Sequence, residues 1–125
     1  MAQTPEAKVK AFIDKFMMAN FPGIWKYSPP GGPFGNVGAP DRFYLWNGVF
    51  IAIEAKAEGN KPTERQMMHL NKITENGGVA AIVTGLDATK MEMIRGSILR
   101  RVRMANEESG APAVPSSEGN GSIPD

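Results

Sequence analysis

Arg42-Phe43-Tyr44-Leu45-Trp46-Asn47-Gly48-Val49-Phe50-Ile51-Ala52-Ile53-Glu54-Ala55-Lys56 reads as a β-hairpin about which the rest of this chain is arranged. Two strand-like runs, 42–46 and 49–55, flank Asn47-Gly48, a dipeptide suited to a type I′ turn because both central residues of such a turn need φ > 0. A two-residue turn fixes the register. Trp46 then faces Val49, Tyr44 faces Ile51 and Arg42 faces Ile53, while Leu45 with Phe50, Phe43 with Ala52 and Asp41 with Glu54 share the other face. Lys56 lies two residues beyond Glu54 on that same face, so one end of the hairpin gathers two carboxylates and an amine.

Outward from the hairpin, Thr4 and Pro5 read as N-cap and first residue of a helix. Its Val9, Phe12, Ile13, Phe16 and Met17 mark one face until Phe21-Pro22-Gly23 ends it. Residues 24–27 suit a short strand, and 28–40, with four Pro and four Gly among thirteen residues, form a loop that delivers the chain to Asp41. After the hairpin, 58–62 leads to a second helix capped by Thr63, with Met67, Leu70 and Ile73 inward, closed near Asn76-Gly77. Residues 79–84 read as a buried strand, and Asp87 caps a third helix with Met91, Ile94, Ile98 and Val102 inward. The order αβββαβα predicts an α/β fold, a mixed sheet flanked by helices. Residues 1–105 make one domain; 106–125 are a tail rich in Pro, Gly, Ser and Glu, expected to be disordered because it has too few apolar groups to offset the entropy of ordering.

The 125 residues carry a formal charge of +1, no cysteine and a single histidine, His69. Disulfides, zinc-thiolate sites and thiol nucleophiles are thereby excluded, and one His cannot build a His-rich metal centre. No run approaches the roughly 18 apolar residues of a membrane span and MAQTPEAKVK lacks an apolar leader core, so no membrane partner and a cytoplasmic location are expected. The glycines of 31–38 lack a following Lys-Ser/Thr, which argues against a P-loop and a nucleotide cofactor. Carboxylate chemistry remains.

Asp is disfavoured within strands, yet Asp41 would face inward beside Phe43 and Leu45, and Glu54 closes the otherwise apolar run 49–53. Opposed residues have Cβ atoms only about 4.5–5.5 Å apart, so the two acids repel unless a cation sits between them, and a divalent metal would serve. A salt bridge from Glu54 to Lys56 is the structural alternative. Glu6 lies three residues before Val9 and seven before Ile13 and so points inward, although the helix dipole favours an acid in a first turn in any case. Gln66, third after Thr63, completes a capping box; aligned with Leu70 and Ile73, it also turns toward the hairpin. Lys26, Arg42 and Lys61, with Lys90, Arg95, Arg100, Arg101 and Arg103 of the third helix, could make a track for nucleic-acid phosphates, each alone being an ordinary solvated charge. Trp25, Tyr27 and Trp46 read as core or dimer contacts.

Gly38-Ala39-Pro40-Asp41, Ile53-Glu54-Ala55-Lys56, the helix opening Lys61-Pro62-Thr63-Glu64-Arg65-Gln66 and Gly77-Gly78 before an apolar strand together resemble the PD-(D/E)XK nuclease superfamily. More narrowly they are similar to the small stand-alone VRR-NUC nucleases, often phage-encoded, and the resemblance covers residues 6–102. It implies a restriction-endonuclease-like core and a metal-dependent DNA endonuclease leaving a 5′-phosphate. Asp41, Glu54, the backbone carbonyl of Ala55 and Glu6 would hold Mg²⁺ or Mn²⁺, Lys56 would stabilise the attacking hydroxide, and Gln66 would orient the site. It also implies a homodimer acting on branched or duplex DNA, Holliday-junction resolution being one such task. Two other readings stand beside it. One is a non-catalytic nucleic-acid-binding module of the same fold, against which the intact Asp-Glu-Lys set argues; the other is a small interaction protein whose charged cluster is a structural salt bridge, which metal titration distinguishes.

Overall fold

Asn47 and Gly48 take φ of 47° and 83°, the left-handed pair a type I′ turn requires, and the chain reverses between them. Around this turn, the computed structural model describes residues 3–30 and 38–109. The elements run α1 (Pro5–Asn20), β1 (Trp25–Tyr27), β2 (Arg42–Trp46), β3 (Val49–Lys56), α2 (Glu64–Glu75), β4 (Val79–Thr84) and α3 (Ala88–Ser109), the expected αβββαβα order. Each helix starts where its cap residue stands: Thr4 Oγ1 accepts from the Ala7 N–H, Thr63 forms the full capping box with Gln66, and Asp87 Oδ1 accepts from the Lys90 N–H.

The sheet order is β1-β2-β3-β4, antiparallel across the first two pairings and parallel across the last, with α2 as the crossover between β3 and β4. The hairpin register is the one the turn dictates, from Trp46 opposite Val49 to Arg42 opposite Ile53. Side chains alternate across the sheet, so Tyr44, Ile51, Ile53, Ala55 and Val83 fall on an inner face that packs against Val9, Ile13 and Met17 of α1 and Met91, Ile94, Ile98 and Val102 of α3. Full burial of each large side chain there contributes about 1.5–3 kcal/mol. The outer face carries Phe43, Leu45, Phe50, Ala52 and Glu54; α2 lies over its β4 side and reaches Glu54 through Gln66, Ala52 and Glu54 are buried, and Leu45 and Phe50 stay exposed.

Partial cover corrects three expectations. Met67 is exposed, because the part of the outer face beneath α2 is narrow and Leu70 and Ile73 fill it; Ile73 Cγ2 lies so close to Gly78 that an added Cβ would sit 2.7 Å from it. Trp25 and Tyr27 are not core: they stand 53% and 47% exposed on the outer face of the edge strand β1, stacked on each other. β4 is half-buried rather than buried, since it forms the opposite edge of the sheet. At the C-terminus, α3 runs through Ser109, so residues 106–109 are helical; elongation past the last core residue, Val102, adds one hydrogen bond per residue once the helix exists. The rest of the expected tail, and residues 31–37 of the expected loop, lie outside the described residues. Among the described residues, no helix is long and apolar enough to cross a membrane.

Candidate active site

The β2–β3 ladder ends at Arg42 and Ile53, one residue short of Asp41. Asp41 is therefore not a ladder residue but replaces one: its Oδ2 accepts from the Ala55 N–H at 2.9 Å. Continuing the register sets Pro40 opposite Ala55, and proline has no N–H to give the Ala55 carbonyl. The preceding Gly38 takes φ of 81°, and a Cβ there would lie 2.6 Å from Arg65 Cγ. Glycine thus lets the incoming loop press against α2 beside Gln66.

Glu54 is only 2% exposed, the one buried charged residue among the described residues. Its Oε2 accepts from Gln66 Nε2 at 3.0 Å and pairs with Lys56 Nζ at 3.6 Å, whereas Oε1 is buried without a partner. Burial, reinforced by the neighbouring Asp41 carboxylate and opposed by Lys56, pushes the Glu54 carboxyl up to about 7. The salt bridge to Lys56 exists, but it engages one oxygen and leaves the other unpaired. Gln66 both caps α2 and reaches the hairpin, since its Oε1 accepts from the Thr63 N–H at 2.9 Å and its Nε2 donates to Glu54.

Glu6 is not brought to the pair. Its side chain is 41% exposed and bound to Lys10 Nζ at 3.5 Å, and the same ammonium reaches Asp41 Oδ1 at 3.7 Å. Lys10 therefore stands between the first-helix acid and the hairpin acids. Among the described residues no three Asp, Glu or His side chains converge as a metal cage. The donors nevertheless fit a hard divalent cation: Asp41 and Glu54 are oxygen ligands, Glu54 Oε1 is buried and unsatisfied, and Mg²⁺ commonly takes one or two carboxylates and completes its shell with water.

The expected phosphate contacts divide. Lys61 is exposed on the connection before α2. Arg42 is corrected: its Nε donates to both oxygens of Asp14 at 3.0 and 3.1 Å and its Nη1 to the Asp41 carbonyl at 3.1 Å, leaving the guanidinium engaged inside the fold. Lys26, more exposed, pairs with the same Asp14 at 3.4 Å, and Tyr44 Oη donates to it at 2.7 Å. Burial and this hydrogen bond drive the Tyr44 phenol well above its ordinary value. Asp14 and Lys10 both escaped the sequence reading. A hint was present in Tyr44, whose hydroxyl on a core-facing position had to find a partner.

A four-stranded mixed sheet flanked by helices, with an Asp/Glu pair, a lysine and a glutamine at one end, is consistent with a nuclease-like core. No family model and no curated protein matches the sequence. Among solved structures the fold is similar to a VRR_NUC domain, with a TM-score of 0.59 and 21% identity over 74% of this chain and 95% of that one. The chain has a VRR_NUC-like fold.

Proposed function

We propose that the chain is a metal-dependent DNA endonuclease of the PD-(D/E)XK kind, working in the cytoplasm. The observation that carries this reading is Glu54 Oε1, a buried carboxylate oxygen without a partner beside a second carboxylate. A buried acid left half-satisfied is costly, and a cation offsets that cost together with the repulsion from Asp41.

Asp41, Glu54 and the Ala55 carbonyl would hold Mg²⁺ or Mn²⁺, which when bound supplies the positive charge that stabilises the attacking and leaving oxygens of phosphodiester hydrolysis. Gln66 restrains Glu54 through Oε2 and so keeps Oε1 as the oxygen available to the ion. Lys56, mostly buried at the strand end, keeps a fixed ammonium beside the reacting phosphate, where it steadies the attacking hydroxide. The Ala55 N–H holds Asp41 in place from the main chain. Lys61, Lys26 and, on α3, Arg100 and Arg103 are the candidate DNA contacts that face outward, Lys26 also pairing with Asp14, and the product expected is a 5′-phosphate.

The working unit proposed is a homodimer, joined through the exposed outer face of β1, β2 and the Phe50 end of β3. Trp25, Tyr27, Leu45 and Phe50 are each 40–53% exposed there, and Phe43 and Phe50 pack ring to ring at 5.4 Å. With about 150–250 Å² per aromatic side chain, this patch offers on the order of 400 Å², half of the ~800 Å² per partner in a standard interface. Asp41 lies on the same face, one pair of residues or about 7 Å beyond Phe43 along β2, so a two-fold copy would set two sites on one side of the assembly, as paired cuts in a duplex or junction require.

A cleavage panel tests the activity: synthetic four-way junction, flap, linear duplex and single-stranded DNA, each with Mg²⁺ and Mn²⁺, alongside Glu54→Ala. Cleavage by the parent alone is expected on at least one branched or duplex substrate; no cleavage of any substrate, or equal cleavage by Glu54→Ala, would overturn the proposal.

A further inference from the structure

Lys10 occupies a place for which the catalytic reading has no use. It sits on α1 one turn after Glu6, its side chain 31% exposed, and its ammonium spans Glu6 Oε2 at 3.5 Å and Asp41 Oδ1 at 3.7 Å. The i,i+4 pair with the acid on the N-terminal side is itself favourable, but an ordinary helix-surface pair does not also reach across to a residue of the hairpin. Resting on the metal reading above, we propose that Lys10 is an exchangeable counter-cation: in the metal-free protein it neutralises Asp41 and holds Glu6 off the site, and on metal loading it leaves Asp41 and becomes a contact for a phosphate of the DNA.

Electrostatics supplies both halves. Metal-free, the Asp41 and Glu54 carboxylates are neighbours at one end of the hairpin, and Lys10 and Lys56 are the cations paired with them, at 3.7 and 3.6 Å. Lys10 cannot keep Asp41 Oδ1 once a dication claims that oxygen, because it loses its anion and gains a repulsive neighbour at a few ångströms. Its four-carbon stem is flexible and its head strongly hydrated, so it can turn outward without disturbing α1, whose inward contacts are made by Val9, Ile13 and Met17. A DNA strand bound for cutting places phosphates next to the same carboxylates, and the released ammonium lies within reach of one. Glu6, freed from the bridge, gains access to the site at the same moment. Metal binding and DNA binding are then coupled through one side chain, and by linkage the coupling works in both directions.

Parent, Lys10→Met and Glu54→Ala proteins, each checked by melting for an intact fold, are compared in two titrations: Mn²⁺ by calorimetry without DNA, and a labelled DNA duplex by anisotropy with and without Ca²⁺. The expected result is that Lys10→Met binds Mn²⁺ several-fold more tightly than the parent. Its DNA affinity should also fall by a factor at least three-fold larger with Ca²⁺ than without. Unchanged or weaker Mn²⁺ binding by Lys10→Met, or an equal loss of DNA affinity in both conditions, would overturn the exchange. Absence of Mn²⁺ binding in both parent and Lys10→Met would instead remove the metal reading on which it rests, and Glu54→Ala, expected not to bind, separates the site from adventitious surface binding.

Discussion

Glu54 concentrates the energetic conflict of this fold in one carboxyl. Its ionisation is opposed by burial and by Asp41, so the folded protein holds the proton more tightly than the unfolded chain, whose glutamate has the ordinary value of 4.5. The native state therefore binds more protons between about pH 4.5 and pH 7, and stability falls as pH rises through that window. In chelator, urea unfolding of the parent should lose roughly 1–3 kcal/mol between pH 5 and pH 8 from this group. Glu54→Gln should flatten that segment of the profile and be the more stable of the two at pH 8; an unchanged slope would mean that Glu54 is ionised at little cost. For Asp41, Asp41→Asn keeps the shape and the acceptor for the Ala55 N–H, so the fold should persist while cleavage in Mg²⁺ falls by orders of magnitude. Activity equal to the parent would place the chemistry elsewhere.

At the level of elements, Asp14 ties α1 to the sheet. One carboxylate receives Arg42 and Tyr44 and pairs with Lys26, and Arg42 in turn donates to the Asp41 carbonyl, so the helix and the strand that begins beside Asp41 are joined through charged hydrogen bonds. Asp14→Ala leaves a guanidinium and a buried phenol without their partner and should cost about 2–4 kcal/mol in urea unfolding, whereas Tyr44→Phe removes one hydrogen bond and should cost about 1 kcal/mol. Equal effects of the two would assign Asp14 no role beyond the tyrosine. This strut was illegible in the sequence because its members lie 28 and 30 residues apart, and an Asp, an Arg and a Lys in a row of elements look like solvated charges until packing brings them together. The hairpin was legible because Asn47-Gly48 fixes the turn and period-two alternation fixes the faces; Gln66 was legible because a capping box and a helical face both locate it. Met67 was misread, and of the two alternatives for Trp25 and Tyr27 the core one fails, for one reason: an apolar side chain records that a face exists, and not how much of that face another element covers.

On the scale of the whole molecule, the exposed part of the outer face and the carboxylate end of the sheet are neighbours. Light scattering at micromolar concentration should give a dimeric mass for the parent and a monomeric one for Phe50→Glu, which places a charge in the middle of the apolar patch; a monomeric parent still making paired cuts would dissolve the interface argument. Ending the chain after Ser109 should leave melting temperature and cleavage unchanged, because residues 110–125 contain few apolar groups.

Whether Asp41 and Glu54 bind a divalent metal is read from thermal melting of the parent and Glu54→Ala in chelator, Mg²⁺, Mn²⁺ and Ca²⁺. A ligand that binds only the native state stabilises it by RT ln(1 + [L]/Kd), so at one hundred times Kd the parent should gain about 2.7 kcal/mol, a rise of several degrees. The expected result is a concentration-dependent rise in the parent with each ion and none in Glu54→Ala. Equal shifts in the two proteins, or no shift in the parent, would mean that these two carboxylates do not bind the metal.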